Sequence, residues 1–216
     1  VVVGKEVHET ATFKGVLKYV VFNPYWVIPP GILYNEIIPG VVKNASYLKK
    51  HNMEVVDRSS KLINPSQIAW SKYSNSGFPY TIRQRPGANN SLGKVKFLFP
   101  NSFSIYLHDT PSRSLFSEEK RAFSHGCIRV SDPEKLANYI LEKENWSPEK
   151  VSKSLKPGKE LWVPLSTEIP VFIVYFTAWV ENDGKLHFRN DIYNRDRKLK
   201  EELIGVDSVS VMATFP

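Results

Sequence analysis

Residues 94–108 read KVKFLFPNSFSIYLH, and this stretch sets the fold class that we expect. Residues 94–99 and 103–107 are short runs rich in apolar and aromatic side chains, and Pro100 and Asn101 separate them. Two such runs joined by turn residues are typical of a β-hairpin. The hairpin should end at His108, so a rigid sheet would carry a histidine at its rim.

Further segments on both sides carry the same β character. We predict strands over residues 1–7, 12–22, 161–165, 171–180 and 185–189, because these runs are rich in Val, Ile, Phe and Tyr. Helices are expected at 40–50, from Asp132 to about 145 with Leu136, Tyr139 and Ile140 on one face, and at 196–203. The fold class is therefore α+β and β-dominated, in one domain over residues 1–216.

Residues 51–90 are polar and contain frequent Gly, Pro and Asn, which predicts loops. Because this stretch interrupts the β pattern, we interpret residues 36–90 as an inserted subdomain that caps a cleft as a lid.

Composition limits the possible classes of protein. The 216 residues are 42% hydrophobic, which is typical of a folded domain. The net charge of +7 favours acidic binding partners. The longest apolar run, 171–180, has about half the length needed to cross a membrane. The single cysteine, Cys127, excludes a framework of disulfides and a zinc site built from several thiolates. We find no nucleic-acid-binding motif and no concentrated stripe of Lys and Arg.

The stretch SHGCIR, residues 124–129, places the only thiol directly after a glycine. Glycine permits a tight turn with backbone N–H groups facing an oxyanion, and a thiol becomes a nucleophile when a base activates it. His125 and His108 are the nearby histidines. From residue types alone, Cys127 is either a nucleophile or a small buried side chain. A zinc site from His108, Asp109, His125 and Cys127 is a further alternative.

A histidine, fifteen residues and then Ser-His-Gly-Cys resembles the signature of the L,D-transpeptidase (YkuD) family. The runs YLHDTPSR (106–113), RAFSHGC (121–127) and TAWV (177–180) are similar to the larger YcbB-like branch of Gram-negative bacteria. The resemblance covers most of the chain and implies a YkuD-like mixed β-sheet core or sandwich. Arg129 stands where many members carry asparagine.

The resemblance implies a reaction on peptidoglycan. Cys127 would attack a donor tetrapeptide stem, D-Ala would leave, and the diaminopimelate amine of an acceptor stem would resolve the acyl-enzyme into a 3→3 cross-link. His108 would be the base, and the N–H groups of His125, Gly126 and Cys127 would bind the oxyanion. Asp109 would orient His108 through its carbonyl, and Arg129, Tyr106 and Ser124 would contact substrate. Lowering the thiol pKa from about 8.5 to 6.5 would gain roughly 25-fold in thiolate, so oxyanion stabilisation and positioning must supply most of the acceleration.

The same acyl-enzyme could be resolved by water, as in an L,D-carboxypeptidase, or by the lysine of a lipoprotein. A peptidoglycan-binding module without catalysis is the alternative from another class. We expect no metal and no cofactor, carbapenem β-lactams as covalent inhibitors, and no nucleic-acid partner. The implied location is the periplasm, with membrane anchoring only through a segment outside these 216 residues.

Overall fold

The computed structural model describes residues 1–204, and it is rich in β structure with few helices. Its strands, in chain order, are β1 (Val3–Gly4), β2 (Phe13–Phe22), β3 (Trp26–Val27), β4 (Met53–Val56), β5 (Leu62–Ile63), β6 (Thr81–Gln84), β7 (Val95–Leu98), β8 (Leu107–His108), β9 (Ala122–Ser124), β10 (Ile128–Arg129), β11 (Leu161–Ile173), β12 (Ala178–Val180) and β13 (Leu186–Phe188). Its α-helices are α1 (Pro30–Ile32), α2 (Ile38–Lys43), α3 (Tyr47–Lys50), α4 (Pro133–Leu141), α5 (Pro148–Ser154) and α6 (Arg195–Ile204). The β-dominated α+β class is confirmed.

The central sheet has the strand order β10-β8-β7-β2-β11. Strand β2, expected from the Val- and Phe-rich run, pairs antiparallel with β7 and with β11. The predicted hairpin is present as the antiparallel pair β7 and β8, but residues 99–106 form a long connection, so 103–107 is not a full strand. The fifth strand, β10, runs parallel to β8 and brings the segment after Cys127 beside His108.

One face of this sheet is covered by α4 and α5. Phe22, Phe97 and Leu141 are fully buried in the resulting core, and each contributes on the order of 2–3 kcal/mol by leaving water. Helix α4 lies where it was predicted. The prediction that Tyr139 belongs to its buried face was wrong, because Tyr139 is 70% exposed and Ala137 is buried there. Helix α5 was not expected, because its seven residues bury only one apolar side chain, Val151.

A second layer is built from residues 26–84. Strands β3, β6, β4 and β5 form a four-stranded sheet, so the prediction of loops over 51–90 was wrong for three of these strands. A π-helical segment, Leu33–Ile37, joins α1 to α2 without a break, and apolar side chains from both helices and the sheet form a second core. This core includes residues before position 36 as well as most of the segment 36–90. Strands β4, β5 and β6 have two to four residues each and are surrounded by turn residues, so the composition of the segment favoured loops.

Other boundaries also differ from those that the composition favours. The expected strand 1–7 is reduced to β1, followed by a 3₁₀ turn at Glu6–His8. The helix expected at 40–50 is broken at Asn44, whose extended backbone separates α2 from α3. The run 171–180 is divided between the end of β11 and β12. The strand expected at 185–189 and the helix at 196–203 are present as β13 and α6.

Candidate active site

The register of the central sheet brings three charged or titratable side chains onto one face. His108 pairs with Arg129 on the neighbouring strand β10 and with Lys96 on β7. Directly paired residues project from the same face of a sheet, and so do residues two apart on one strand. Tyr106, in the connection just before β8, lies next to His108, with 5.7 Å between the ring centroids. This face is opposite the one that α4 and α5 cover.

The turn that carries the thiol connects β9 to β10 and is held by its own side chains. Gly126 has φ +114°, a conformation that residues with a Cβ rarely adopt, so glycine is required here. The Ser124 hydroxyl accepts a hydrogen bond from the Gly126 N–H at 3.1 Å and donates to the Cys127 carbonyl at 2.6 Å. Ser124 is buried and both of these contacts lie within the turn.

Two backbone N–H groups of this turn remain open. Among the described residues, the N–H groups of His125 and Cys127 donate no hydrogen bond, whereas the Gly126 N–H is bound to Ser124. A developing oxyanion needs such unpaired donors, held in place before the reaction begins. Of the three donors expected from sequence, two are therefore available.

His108 is held as a neutral imidazole. Its Nδ1 lies 2.5 Å from the Asp109 carbonyl, so Nδ1 carries the proton and donates it in a hydrogen bond. Burial, together with a smaller effect of the Arg129 charge, lowers the pKa of His108 to about 4, although the hydrogen bond to Asp109 acts in the opposite direction. The lone pair on Nε2 is then free to accept a proton near neutral pH, which suits a general base.

Asp109 uses its backbone and its side chain differently. The carbonyl contacts His108, whereas the carboxylate accepts a hydrogen bond from the Lys94 N–H at 2.9 Å and pairs with Arg113 at 3.2 Å. The Arg113 guanidinium also donates to the Ser131 carbonyl. The carboxylate therefore anchors the loop that follows β8.

Cys127 lies part-buried beside Tyr106 and Ser104. Its Sγ is 3.7 Å from the Ser104 carbonyl, and no hydrogen bond joins it to His108 in the described structure. Burial raises the pKa of the thiol, although hydrogen bonding to Tyr106 and the charge of Arg129 act in the opposite direction. The resting pair is therefore a neutral thiol and a neutral imidazole, not a thiolate of lowered pKa.

Arg129 carries a buried polar atom without a hydrogen-bond acceptor among the described residues. This atom is Nε of a half-buried side chain, and burial lowers the pKa of the guanidinium. Lys96 shares the sheet face, and burial also lowers its pKa. A buried donor that lacks an acceptor costs free energy. The two side chains give this face of the sheet a positive character.

The His125 side chain contacts Glu36 and His8. Its Nε2 lies 3.0 Å from the Glu36 carboxylate on the π-helical segment, and its ring packs on His8 with centroids 5.1 Å apart. The side chain therefore connects the thiol turn to the second layer. The four side chains considered for zinc do not converge: within residues 1–204, no three His, Cys, Asp or Glu side chains form a group that could hold a metal ion.

Two grooves are lined by neighbours of Cys127, one by Ser104 and Tyr106 and the other by His125. One, of about 320 Å³, is largely apolar and is lined by residues including Tyr19, Pro100, Ser104, Tyr106 and Trp162. The other, of about 390 Å³, lies where His125 meets the second layer and is lined by residues including Lys5, His8, Pro29 and Glu36.

Comparison with known proteins agrees with this constellation. Residues 1–165 match the model of the YkuD family, the L,D-transpeptidase catalytic domain. The chain belongs to this family. It is also 35% identical over 209 residues to a Haemophilus influenzae protein provisionally named as an L,D-transpeptidase. That alignment covers 97% of this chain but 42% of the relative, so the chain spans less than half the length of the curated relative that it matches.

Membership in the L,D-transpeptidase family makes this chain a catalytic domain of that class. Its described helices include none long and apolar enough to span a membrane. Sequence reasoning missed Lys96, Ser104 and Thr10 as neighbours of the site. The alternation of β7 offered a signal for Lys96, which interrupts an apolar run, but the other two residues lie in loops where sequence carries no periodic signal.

Proposed function

We propose that this domain is a peptidoglycan L,D-transpeptidase that forms a cysteine acyl-enzyme on a donor tetrapeptide stem. The observation that carries the proposal is that Tyr106 lies against both the Cys127 thiol and the His108 ring, and that the charge of Arg129 acts on both groups. Family membership gives the reaction class, and the site supplies each chemical requirement of acyl transfer.

Acylation begins from the neutral pair. His108 Nε2 takes the thiol proton as Sγ forms a bond to the carbonyl carbon of the third stem residue. The carbonyl π electrons move to oxygen, and the open N–H groups of Cys127 and His125 stabilise that oxyanion. When the tetrahedral intermediate collapses, the C–N bond to D-Ala breaks, and the imidazolium returns its proton to the leaving amine. A thioester remains on Cys127.

Deacylation repeats these steps in reverse order with a new nucleophile. The diaminopimelate side-chain amine of an acceptor stem enters as the neutral base and attacks the thioester carbonyl. His108 accepts the proton that the amine loses, and the C–S bond breaks. The same proton returns to sulfur, so the thiol is regenerated and a 3→3 cross-link is released. The acceptor amine loses one proton to solvent before the attack, and the released D-Ala amine takes one up, so the overall reaction balances in protons.

Charge complementarity supports substrates that carry carboxylates. Arg129 has a buried nitrogen without an acceptor within residues 1–204, and Lys96 pairs with His108 on the same face. A stem peptide bears carboxylates at its D-centres and terminus, so one carboxylate can pair with Arg129 while Lys96 favours a second. The overall charge of +7 acts in the same direction over a longer range.

We further propose that residues 36–90 cap the cleft and that the two grooves hold the two stems. Glu36 contacts His125 at one groove, and Trp26 of the second layer lies near Tyr106 beside the other. A transferase needs places for donor and acceptor at once, whereas hydrolysis needs one. This arrangement favours transfer over the carboxypeptidase alternative.

Incubation with purified disaccharide tetrapeptide, followed by mass spectrometry of the products, tests the proposal. Dimers with a 3→3 bond and free D-Ala are expected, and Cys127→Ala should give neither. Tripeptide alone would identify a carboxypeptidase, and a covalent stem–lipopeptide adduct formed without dimers when a lipoprotein peptide is supplied would identify an attachment enzyme. Binding to sacculi with no product would leave the non-catalytic binding module. Carbapenem acylation, periplasmic action and a membrane anchor elsewhere in the full protein belong to the same proposal.

A further inference from the structure

The thiol turn is held from outside by the first ten residues of the chain. Strand β1 runs parallel to β9, and the Lys5 N–H donates to the Ser124 carbonyl at 3.0 Å. The Thr10 hydroxyl donates to the Gly126 carbonyl at 2.9 Å. These contacts hold the carbonyl groups of Ser124 and Gly126, whereas the hydrogen bonds of the Ser124 hydroxyl hold the Gly126 N–H and the Cys127 carbonyl.

The bond from Thr10 determines where the Cys127 N–H points. The Gly126 carbonyl and the Cys127 N–H belong to one peptide unit, which is planar and trans, so the two groups point in opposite directions. Fixing the carbonyl toward Thr10 therefore turns the N–H toward the other side of the turn. Because Gly126 has φ +114° and no side chain, few other contacts restrain this peptide.

Thr10 is itself held by a buried network. It is 6% exposed, and its hydroxyl accepts a hydrogen bond from the Gly4 N–H at 2.9 Å while donating to Gly126. The Tyr193 hydroxyl donates to the Gly4 carbonyl at 2.7 Å and accepts from the Thr10 N–H at 3.3 Å. Tyr193 is 5% exposed, so these bonds are shielded from water.

The segment that carries Tyr193 reinforces the same contact. Arg195 donates to the Thr10 carbonyl at 3.3 Å and to the Glu9 carboxylate at 3.0 Å. Tyr175 stacks on Tyr193, with centroids 5.3 Å apart. These three residues lie after position 165, where the family match ends. The extension therefore supports a turn that belongs to the matched domain.

We propose that Thr10 and Tyr193 are positioning residues that aim the Cys127 N–H at the oxyanion of the acyl-transfer reaction. The inference rests on the proposed function, because it assigns these residues to its oxyanion site. Neither residue touches the reacting atoms: Thr10 acts through the Gly126 peptide, and Tyr193 acts through Thr10 and Gly4.

Comparison of acylation with alkylation tests this role. Thr10→Val keeps the volume but removes the hydroxyl, and Thr10→Ser keeps the hydroxyl as the matched control. Loss of a correctly placed oxyanion donor costs about 100-fold in rate, so carbapenem acylation of Thr10→Val should slow by about that factor. Iodoacetamide alkylation of the thiol forms no oxyanion and should stay within about twofold. Thr10→Ser should resemble wild type, and Tyr193→Phe should fall between the two variants.

Equal acylation rates in Thr10→Val and Thr10→Ser would overturn the proposal, as would equal losses of acylation and alkylation. The backbone amide resonance of Cys127 in ¹⁵N-labelled protein provides a test that does not need activity. It should shift in Thr10→Val and Tyr193→Phe but not in Thr10→Ser, and an unchanged resonance would refute the positioning role. If wild type forms no adduct, the proposed function fails, and this resonance still decides the inference.

Discussion

Lowering the pH should destabilise this domain through one buried side chain, His108. The pKa of His108 is about 4 in the folded protein and 6.5 in its ordinary state, because burial and Arg129 disfavour the imidazolium. Between these values the unfolded chain binds more protons than the folded one, so folding is favoured as the pH rises. The contribution is intact above about 6.5 and is lost as the pH falls toward 4.

The size of this effect follows from linkage. Each pKa unit corresponds to about 1.4 kcal/mol, so the difference between the two values of His108 corresponds to about 3 kcal/mol. Many carboxylates titrate in the same pH range. Wild type and His108→Gln both contain them, so their contribution cancels when the stabilities of the two proteins are compared. The stability of wild type relative to this variant should therefore decrease by about 3 kcal/mol between pH 7 and pH 4.

Urea denaturation at several pH values, followed by tryptophan fluorescence, measures this difference. His51→Gln, which replaces an exposed histidine, is the control for removing a histidine as such. A constant difference between wild type and His108→Gln across the range would refute the reasoning, since His108 would then titrate alike in both states. Titration of the His108 ring protons by NMR gives the folded pKa directly, and a value near 6.5 would have the same meaning.

Three further outcomes follow from the structure. The rate of Cys127 alkylation by iodoacetamide should rise about tenfold per pH unit through pH 8, because burial raises the thiol pKa; a plateau below pH 8 would contradict this. Gly126→Ala should cost about 1–3 kcal/mol in urea denaturation and slow acylation, because φ +114° strains any residue with a Cβ; unchanged stability and rate would argue against a required glycine. Leu141→Ala should lower the free energy of unfolding by about 2–5 kcal/mol, whereas Tyr139→Ala should change it by less than about 0.5 kcal/mol. Equal losses in the two variants would contradict the assignment of Leu141 to the core.

Local sequence patterns account for the central sheet and for the thiol turn. The run KVKFLF and the strand β2 are rich in β-branched and aromatic residues, which favour strands, and the glycine of SHGC adopts a positive φ that favours a turn. The contact between His108 and the Asp109 carbonyl joins adjacent residues, so a family resemblance can anticipate it. These features depend on short stretches of chain.

The rest depends on pairing between distant segments. Strands β4, β5 and β6 are short and surrounded by polar residues. They are stabilised by packing their apolar side chains into the second core, which forms only in the folded chain. Tyr193 lies 183 residues from Thr10, and no periodicity connects them. The raised pKa of Cys127 comes from burial, which the neighbouring sequence does not reveal. Tertiary packing decides such properties.

The central claim is that Cys127 becomes acylated with the help of His108. Intact-protein mass spectrometry after incubation with a carbapenem measures this step directly, using wild type, Cys127→Ala and His108→Gln of verified fold. We expect one equivalent of adduct on wild type, none on Cys127→Ala, and formation at least about 100-fold slower on His108→Gln, since a general base contributes about that much or more. Wild type without adduct, or an adduct that persists in Cys127→Ala, would contradict the account.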